Sequence, residues 1–246
     1  MSSFVSVARQ GDVAVITIDN PPVNALSFHV REPLMQALVS LRDDPSVAAI
    51  GIACAGRTFV AGADITEFGK PMQQPELRAI VAVLEAIAKP TVAAIHGTAL
   101  GGGLELALGC HFRVADAGAK VGLPEVKLGL LPGFAIVRLH NIVGRAKAKE
   151  LSILGDPISA AEAERIGLVL RVVPHDTLMA NAMEFAERIA AKPRLAVAMA
   201  KSFYNSGLGG DEMRHAVDGF PLLMMHEDAR EGVSAFLEKR KPKFKD

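Results

Sequence analysis

Two short, almost entirely apolar runs constrain the fold of this chain more than any other feature of its sequence. Residues 48–55 and 91–96 have the composition of strands that are buried on both faces. Apolar residues at helical spacing precede the first run, through about residue 43, and separate the two runs, over residues 76–89. Buried strands that alternate with helices predict crossover units, so we expect an α/β core.

After residue 133 the alternation gives way to mostly helical patterns, with Leu168 to Val173 as the one strand candidate. The later helices offer too little apolar surface for a core of their own. We therefore divide the chain into a core over residues 1–173 and a C-terminal helical region over residues 174–246, which packs on the core or on another subunit. Helices are predicted over residues 145–154, 159–166, 175–191, 194–206, 211–225 and 227–239.

Composition and charge exclude several classes of protein. The 246 residues include 27 basic and 27 acidic side chains, whereas a dedicated nucleic-acid-binding protein is usually strongly basic. Cys54 and Cys110 are too few for a disulfide framework and match no metal-ligand spacing. No apolar run reaches the roughly 18 residues that a membrane span requires, and no secretory leader is evident. We expect a cytoplasmic protein that binds neither nucleic acid nor membranes.

Three consecutive glycines at residues 101–103 lie between the second apolar run and a predicted helix. Because glycine is costly in conformational entropy, a run of three indicates a specific requirement. Such a turn lets a ligand approach the backbone closely and directs the N–H groups of the helix N-terminus outward. A tight turn with close helix–strand packing is the alternative. The spacing matches neither the dinucleotide fingerprint nor a P-loop.

Two glutamates follow the glycines and are candidates for acid–base chemistry. Glu105 is surrounded by apolar residues, so it lies either on a solvent-facing stripe or in a partly buried position, and its neighbours favour partial burial. Glu125 follows Pro124, which suits the first turn of a helix, where the helix dipole would also favour a surface glutamate. Together they supply the two carboxyl groups that acid–base chemistry on one bond requires.

The segment Ala61-Gly62-Ala63-Asp64 precedes a short predicted helix over residues 64–68. Asp64 is suited to capping that helix. The amide of Ala63 is then a candidate for a second outward-facing backbone donor. No pair of histidines has zinc-ligand spacing, and no nucleophile elbow is present in the sequence.

Six segments of the chain form a pattern in their order and spacing. They are Asn20-Pro21-Pro22-Val23-Asn24-Ala25-Leu26, Phe59-Val60-Ala61-Gly62-Ala63-Asp64-Ile65, Ala99-Leu100-Gly101-Gly102-Gly103-Leu104-Glu105-Leu106, Gly122-Leu123-Pro124-Glu125, Glu227-Asp228-Ala229-Arg230-Glu231-Gly232 and Phe236-Leu237-Glu238-Lys239-Arg240-Lys241. Taken in order, these segments resemble the crotonase family, also called the enoyl-CoA hydratase/isomerase superfamily, and the resemblance covers essentially the whole chain. It implies an α/β fold with a crotonase-like core of ββα units wound into a superhelix, and a C-terminal helical region that forms trimers, which often pair into hexamers.

The resemblance also implies a substrate and a mechanism. The family acts on acyl-CoA thioesters whose carbonyl oxygen lies between two backbone N–H groups, which match Ala63 and Gly102 here. Its hydratases use two glutamates, matched by Glu105 as the activator of water and Glu125 as the donor of a proton to the α-carbon. No metal or redox cofactor is implied, since coenzyme A enters as part of the substrate.

Further positions are expected to bind the CoA portion of the substrate. The stretch Ala61 to Thr66 matches the path of the pantetheine and the adenine. Arg57 matches a cation near the CoA phosphates, and Phe236 and Lys239 match a C-terminal segment that reaches CoA bound to a neighbouring subunit. The substrate-binding set implied by the resemblance is Arg57, Ala61, Ala63, Asp64, Ile65, Thr66, Gly102, Gly133, Phe236 and Lys239.

One segment departs from the family pattern. After Leu131-Pro132-Gly133 the family usually has a glycine-rich stretch, whereas this chain continues with Phe134-Ala135-Ile136-Val137-Arg138-Leu139. Phenylalanine and β-branched residues restrict the backbone and fill space. Because the segment follows Glu125, we expect it to border the acyl end of the site and to reshape acyl selectivity, displace the catalytic water or lower activity.

The leading prediction is an enoyl-CoA hydratase of the fatty acid β-oxidation type, which adds water to trans-2-enoyl-CoA to give 3-hydroxyacyl-CoA. A 3,2-enoyl-CoA isomerase is the closest alternative, because it keeps the fold and the pair of backbone donors but shifts a double bond. Isomerases of the family typically rely on one carboxylate, so the two glutamates favour hydration. A catalytically weak CoA- or RNA-binding interaction module is the third. The neutral charge and both glutamates argue against such a module, and the altered segment after Gly133 argues for it.

Overall fold

Strands and helices alternate along the first half of the chain, as the two apolar runs predict. The computed structural model describes residues 4–206 and 221–244. The strands are β1 (Val5–Gln10), β2 (Val13–Ile18), β3 (Ala49–Cys54), β4 (Thr91–Ile95), β5 (Thr98–Leu100), β6 (Phe112–Asp116), β7 (Lys120–Gly122), β8 (Ile158–Ser159) and β9 (Arg171–Val173). The α-helices are α1 (Phe28–Asp43), α2 (Leu77–Ala86), α3 (Gly102–Gly109), α4 (Gly133–Leu154), α5 (Ala160–Arg165), α6 (Leu178–Ala190), α7 (Arg194–Ser206) and α8 (Glu227–Leu237), and 3₁₀ helices cover Ile65–Glu67, Pro124–Leu128 and His175–Thr177.

The two apolar runs form β3 and β4 at the centre of a six-stranded sheet with the order β1-β2-β3-β4-β6-β9. The first two strands pair antiparallel as a hairpin, and all other neighbours in this sheet pair in parallel. A smaller sheet contains β5, β7 and β8, and a bridge between Val60 and Ala99 extends it. The orders β4-β5-α3 and β6-β7-α4 are ββα units, so the predicted α/β fold with ββα units is confirmed.

Alternate residues of the central strands face two different cores. Ile50 and Ile52 of β3 are fully buried on the side of α1, α2 and α3, where each contributes roughly 1.5–3 kcal/mol to stability. On the opposite side, the small residues Ala49 and Ala53 allow α6 to pack closely on the sheet. By sequence α6 belongs to the C-terminal helical region, so its position on the sheet is one of the two arrangements expected for that region.

Several element boundaries differ from the sequence prediction. The strand predicted over residues 168–173 is limited to Arg171–Val173, because the amides of Leu168 and Val169 bond back to the end of α5. The helix predicted over residues 145–154 follows a break at Gly144, where φ is +77°, and the first part of α4, from Gly133 to that break, was not predicted. The helix predicted over residues 211–225 lies outside the described residues except for 221–225, which are helical. None of the helices described combines the length and the apolar character needed to cross a bilayer.

Candidate active site

The glycine turn joins β5 to α3 and brings the backbone against two candidate groups. Gly101 has a φ of +53°, which favours glycine, and a Cβ on it would lie 2.9 Å from Glu125 Oε1. Gly102 is the first residue of α3, so its N–H has no partner within the helix. A Cβ on Gly102 would lie 3.2 Å from the amide nitrogen of Ala63. The absence of side chains on the turn therefore makes room for both Ala63 and Glu125.

The amide of Ala63 is fixed by pairing with Leu26. The N–H of Leu26 donates to the carbonyl oxygen of Gly62 at 3.0 Å, within a parallel bridge between Leu26 and Ala63. In the part of the chain that the structure describes, nothing accepts a hydrogen bond from the Ala63 N–H. Asp64 Oδ1 accepts from the N–H of Thr66 at 2.9 Å and caps the 3₁₀ helix that follows, as predicted. The unpaired amide of Ala63 thus lies beside the first residue of α3.

Glu105 extends from α3 to the N-terminus of α4. Its Oε1 atom accepts hydrogen bonds from the N–H groups of Phe134 at 2.9 Å and Ala135 at 3.1 Å. Both donors belong to the first turn of α4, where N–H groups lack partners within the helix. The side chain is half-buried, which agrees with the favoured interpretation from sequence. Two backbone donors therefore fix the orientation of this carboxyl group.

Glu125 lies in the first turn of the 3₁₀ helix that Pro124 begins, as predicted. Its Oε2 atom is buried and has no hydrogen-bond partner among the described residues. Burial raises the pKa of Glu125, its own backbone N–H lowers it to a smaller extent, and the charge of Glu105 raises it further. The protonated form of Glu125 is therefore retained to higher pH than in an ordinary glutamate, and the two carboxyl groups are close enough to interact.

A cavity of about 890 Å³ opens beside Ala63 and Glu105, whereas Gly102 and Glu125 are not among the residues that line it. Ala63 and Glu105 line it, together with the apolar side chains of Leu26 and Leu77. The loop over residues 67–76 supplies much of the remaining wall. A cleft of this size, with a few polar groups among apolar ones, is typical of a small-molecule binding site.

The predicted CoA-binding stretch borders this cavity only in part. Asp64 lines it next to Ala63, whereas Ala61 is half-buried and its N–H donates to the Val23 carbonyl oxygen at 3.1 Å. Ile65 and Thr66 are exposed. The stretch therefore leads from the paired amide of Ala61 to the rim of the cavity.

Four other predicted binding residues do not line the cavity within one chain. Arg57 is exposed on the loop after β3, and Gly133 is exposed at the start of α4. Phe236, which is 83% exposed, lies in α8, and the exposed Lys239 follows that helix. Contact of Phe236 and Lys239 with CoA on a neighbouring subunit stays a prediction.

The segment that departs from the family pattern forms the first turns of α4. Phe134 is half-buried against the main core, and the Arg138 guanidinium carbon lies 5.9 Å from the centre of its ring. Ile136 and Val137 are exposed, and none of these side chains lines the cavity. The expected reshaping of the acyl end is therefore not seen in the cavity wall. The segment supplies two backbone amides to Glu105 instead.

The sequence analysis missed one residue of the cavity wall, Arg31 of α1. Its side chain is only 8% exposed and forms an ion pair with Glu67 at 2.7 Å. A signal for it was present in the sequence. Arg31 stands three residues before Leu34 and seven before Leu38, so it lies on the buried apolar stripe of α1. A cation on such a stripe requires buried acceptors.

Comparisons with known proteins agree with one another. The enoyl-CoA hydratase/isomerase family profile matches residues 8–246. A crotonyl-CoA hydratase of Syntrophomonas wolfei is 40% identical over 253 residues, which cover 98% of this chain and 97% of that protein. A short-chain-enoyl-CoA hydratase of Clostridium acetobutylicum is 38% identical over 250 residues, covering 96% and 95% of the two chains.

Solved structures agree as well. An enoyl-CoA hydratase of Mycobacterium smegmatis superposes with a TM-score of 0.91 at 31% identity, covering 99% of both chains. One from Bacillus anthracis superposes with a TM-score of 0.88 at 33% identity, covering 98% of this chain and 99% of the other. With the ββα units and the glycine turn already established, these matches show that the chain belongs to the crotonase, or enoyl-CoA hydratase/isomerase, family.

Proposed function

We propose that the protein is an enoyl-CoA hydratase that adds water to trans-2-enoyl-CoA to give 3-hydroxyacyl-CoA. The observation that carries this proposal is that Glu105 and Glu125 are close enough for their charges to interact, at a glycine turn that also adjoins the amide of Ala63. One carboxyl group is oriented by backbone donors, and the other has a raised pKa. The relatives from Syntrophomonas wolfei and Clostridium acetobutylicum, both named as hydratases, support the same reaction.

In this proposal the thioester carbonyl oxygen accepts hydrogen bonds from the N–H groups of Ala63 and Gly102. Attack of water on the β-carbon moves negative charge onto that oxygen as an enolate forms. Donors that are already fixed stabilise such a charge by roughly 3 kcal/mol each. The bond between Leu26 and Gly62 fixes one donor, and the start of α3 fixes the other.

The two glutamates divide the proton transfers between them. Glu105 accepts a proton from the attacking water, whose oxygen bonds to the β-carbon, and Glu125 delivers its own proton to the α-carbon. The product thus gains the atoms of one water molecule. Exchange with solvent then removes the proton from Glu105 and returns one to Glu125. The raised pKa of Glu125 suits a group that begins the cycle protonated.

An isomerase is the second candidate, because two amides already engage Glu105 and Glu125 alone suffices to move a proton along the acyl chain. Solvent oxygen separates the two reactions. With crotonyl-CoA in H₂¹⁸O, we expect mass spectrometry to find ¹⁸O in 3-hydroxybutyryl-CoA. Migration of the double bond in a 3-enoyl-CoA without uptake of ¹⁸O supports the isomerase. Binding of the thioester with neither reaction supports the interaction module.

Gly102→Ala is expected to lower kcat for crotonyl-CoA by about 10²- to 10³-fold, the usual effect of losing one donor to an oxyanion. The new methyl group would lie 2.9 Å from Leu77 Cδ2 and 3.2 Å from the Ala63 nitrogen, where the thioester oxygen has to bind. Steady-state kinetics with crotonyl-CoA measures the loss.

Gly118→Ala is the control for this substitution. A Cβ there would lie 3.7 Å from Asp116 Oδ1, an ordinary contact distance, so wild-type turnover is expected. A Gly102→Ala protein that turns over like wild type would remove the amide pair from the mechanism.

The proposal also covers the type of pathway, the oligomeric state and the cellular location. We assign the reaction to the fatty acid β-oxidation type, with an acyl-CoA thioester as the substrate. A homotrimer or a dimer of trimers and a cytoplasmic location stay predictions. A molar mass measured in solution tests the assembly.

A further inference from the structure

Arg31 is a buried cation in the cavity wall that donates to four acceptors. Its Nη1 atom donates to the Leu26 carbonyl oxygen and to Glu67 Oε2, both at 2.7 Å. Its Nε atom donates to the Pro75 carbonyl oxygen at 2.8 Å, and Nη2 donates to that of Gln73 at 3.2 Å. A guanidinium is suited to this task because it holds several donors in one rigid plane. A lysine cannot reach these acceptors with the same geometry.

Three of the four acceptor groups, on Glu67, Gln73 and Pro75, belong to the loop over residues 67–76 that forms the cavity wall. Glu67 stands at the start of this loop and Gln73 near its end, so Arg31 ties both parts of the loop to α1. Glu67 Oε1 also accepts from the N–H of Phe28 at 2.6 Å, at the first residue of α1. The arginine therefore sets where this part of the wall lies.

The remaining acceptor, Leu26, connects Arg31 to the proposed oxyanion donor. The carbonyl of Leu26 accepts from Arg31, and the N–H of Leu26 donates to the Gly62 carbonyl oxygen at 3.0 Å. The Gly62 carbonyl and the Ala63 N–H belong to one planar peptide unit, so a rotation of one moves the other. Arg31 is thus separated from the Ala63 donor by a single residue.

Stability alone does not account for this arrangement. Replacing a buried ion pair by apolar residues of similar size is often neutral or stabilising, because both charges lose their hydration. The Arg31 side chain is 8% exposed and that of Glu67 is 28% exposed, so much of that hydration is lost here. A role in holding geometry gives the pair a function that apolar residues cannot replace.

We propose that Arg31 is a positioning residue that aligns the Ala63 amide with the thioester carbonyl. The inference rests on the proposed function, because it requires that Ala63 binds that oxygen. Arg31 does not touch the reacting atoms and acts through Leu26. Loss of its bonds therefore weakens polarisation of the carbonyl more than it weakens binding of the substrate.

Arg31→Met tests this inference with three measurements: kcat and KM for crotonyl-CoA, the melting temperature, and the absorption spectrum of a bound 3-aryl-2-enoyl-CoA. The long-wavelength band of such a thioester moves to the red when its carbonyl is polarised. We expect kcat to fall about 10- to 100-fold, the effect of a small misplacement of a catalytic group, and KM to change less. The red shift is expected to shrink in parallel.

Two further variants keep the test decisive. Arg31→Lys retains the charge and is expected to recover part of kcat and part of the red shift, and it carries the test if Arg31→Met does not fold. Glu67→Gln removes the charge of the pair but leaves the three carbonyl acceptors of Arg31, so its loss of kcat is expected to be smaller. A wild-type kcat and a full red shift in the folded Arg31 variants, with only a lower melting temperature, would overturn the proposal.

The spectrum also separates this inference from the proposed function. If the wild-type protein shifts the band without hydrating crotonyl-CoA, the hydratase proposal fails, and the Arg31 variants still decide the positioning role. If the wild-type protein binds the chromophore with no red shift, both proposals are overturned.

Discussion

Glu125→Gln is expected to lower the turnover of crotonyl-CoA by about 10²- to 10⁴-fold, the contribution of a general acid. Glutamine preserves the size and shape of the side chain, so the substrate still binds, but it has no proton to give to the α-carbon. Steady-state kinetics measures the loss, and a direct binding measurement shows that the affinity is retained. This combination also excludes the interaction module.

Glu184→Gln is the matched control, because Glu184 is exposed on α6, and it should keep the wild-type rate. A Glu125→Gln protein with near-wild-type turnover would show that another group donates the proton.

Glu125→Gln is also expected to stabilise the fold at neutral pH. The native pKa of Glu125 is raised by burial, so above the ordinary pKa the unfolded chain binds fewer protons than the native protein. Stability therefore falls as pH rises from the ordinary pKa of glutamate through the raised native pKa. Glutamine has no charge to bury, so the stability advantage of the variant should grow over that interval and then level off. Denaturant unfolding at several pH values measures it, and an advantage independent of pH would contradict the raised pKa.

Glu105→Gln is expected to reduce turnover by a similar factor, about 10²- to 10⁴-fold, because an amide cannot take a proton from the attacking water. Its side-chain oxygen can still accept from the N–H groups of Phe134 and Ala135. The start of α4 should therefore keep its cap and the melting temperature should stay near that of wild type. Kinetics and thermal unfolding on the same sample separate the two effects.

Glu105→Ala removes the cap as well as the base. It should lose activity like Glu105→Gln and, in addition, about 1 kcal/mol of stability, the usual cost of deleting a helix cap. A glutamine variant with the wild-type rate would contradict the mechanism with two carboxyl groups. An alanine variant as stable as the glutamine variant would show that the cap contributes little.

The sequence predicted those parts of the molecule that depend on neighbouring residues. The runs that become β3 and β4 are apolar because both faces of these strands are buried, and a continuous apolar segment reports this directly. Asp64 caps the turn that begins one residue later. Gly101 and Gly102 stand where the backbone approaches other groups, and a glycine run marks such a place even when the approaching groups are unknown.

The parts that were missed depend on residues far apart in the chain. The N–H groups of Phe134 and Ala135 donate to Glu105, which lies 29 and 30 positions earlier in the chain. The spacing of apolar residues near Gly133 therefore does not show that a helix begins there. Likewise, Arg31 donates a hydrogen bond to the carbonyl oxygen of Pro75, which lies 44 positions later in the chain. The strand β5 has three residues, which is too short for a period of two to be recognised.

The carboxylate of Glu105 accepts hydrogen bonds from two backbone N–H groups. These bonds offer a way to observe a single acid among the 27 acidic residues of the protein. The proton and nitrogen resonances of Phe134 and Ala135 respond to the charge of the oxygen that they bind. Uniform ¹⁵N labelling thus provides two internal reporters of one ionisation state, with no chemical tag near the ligand. A titration with a non-reactive thioester, followed at these two signals, records how the acid responds to occupancy of the cavity.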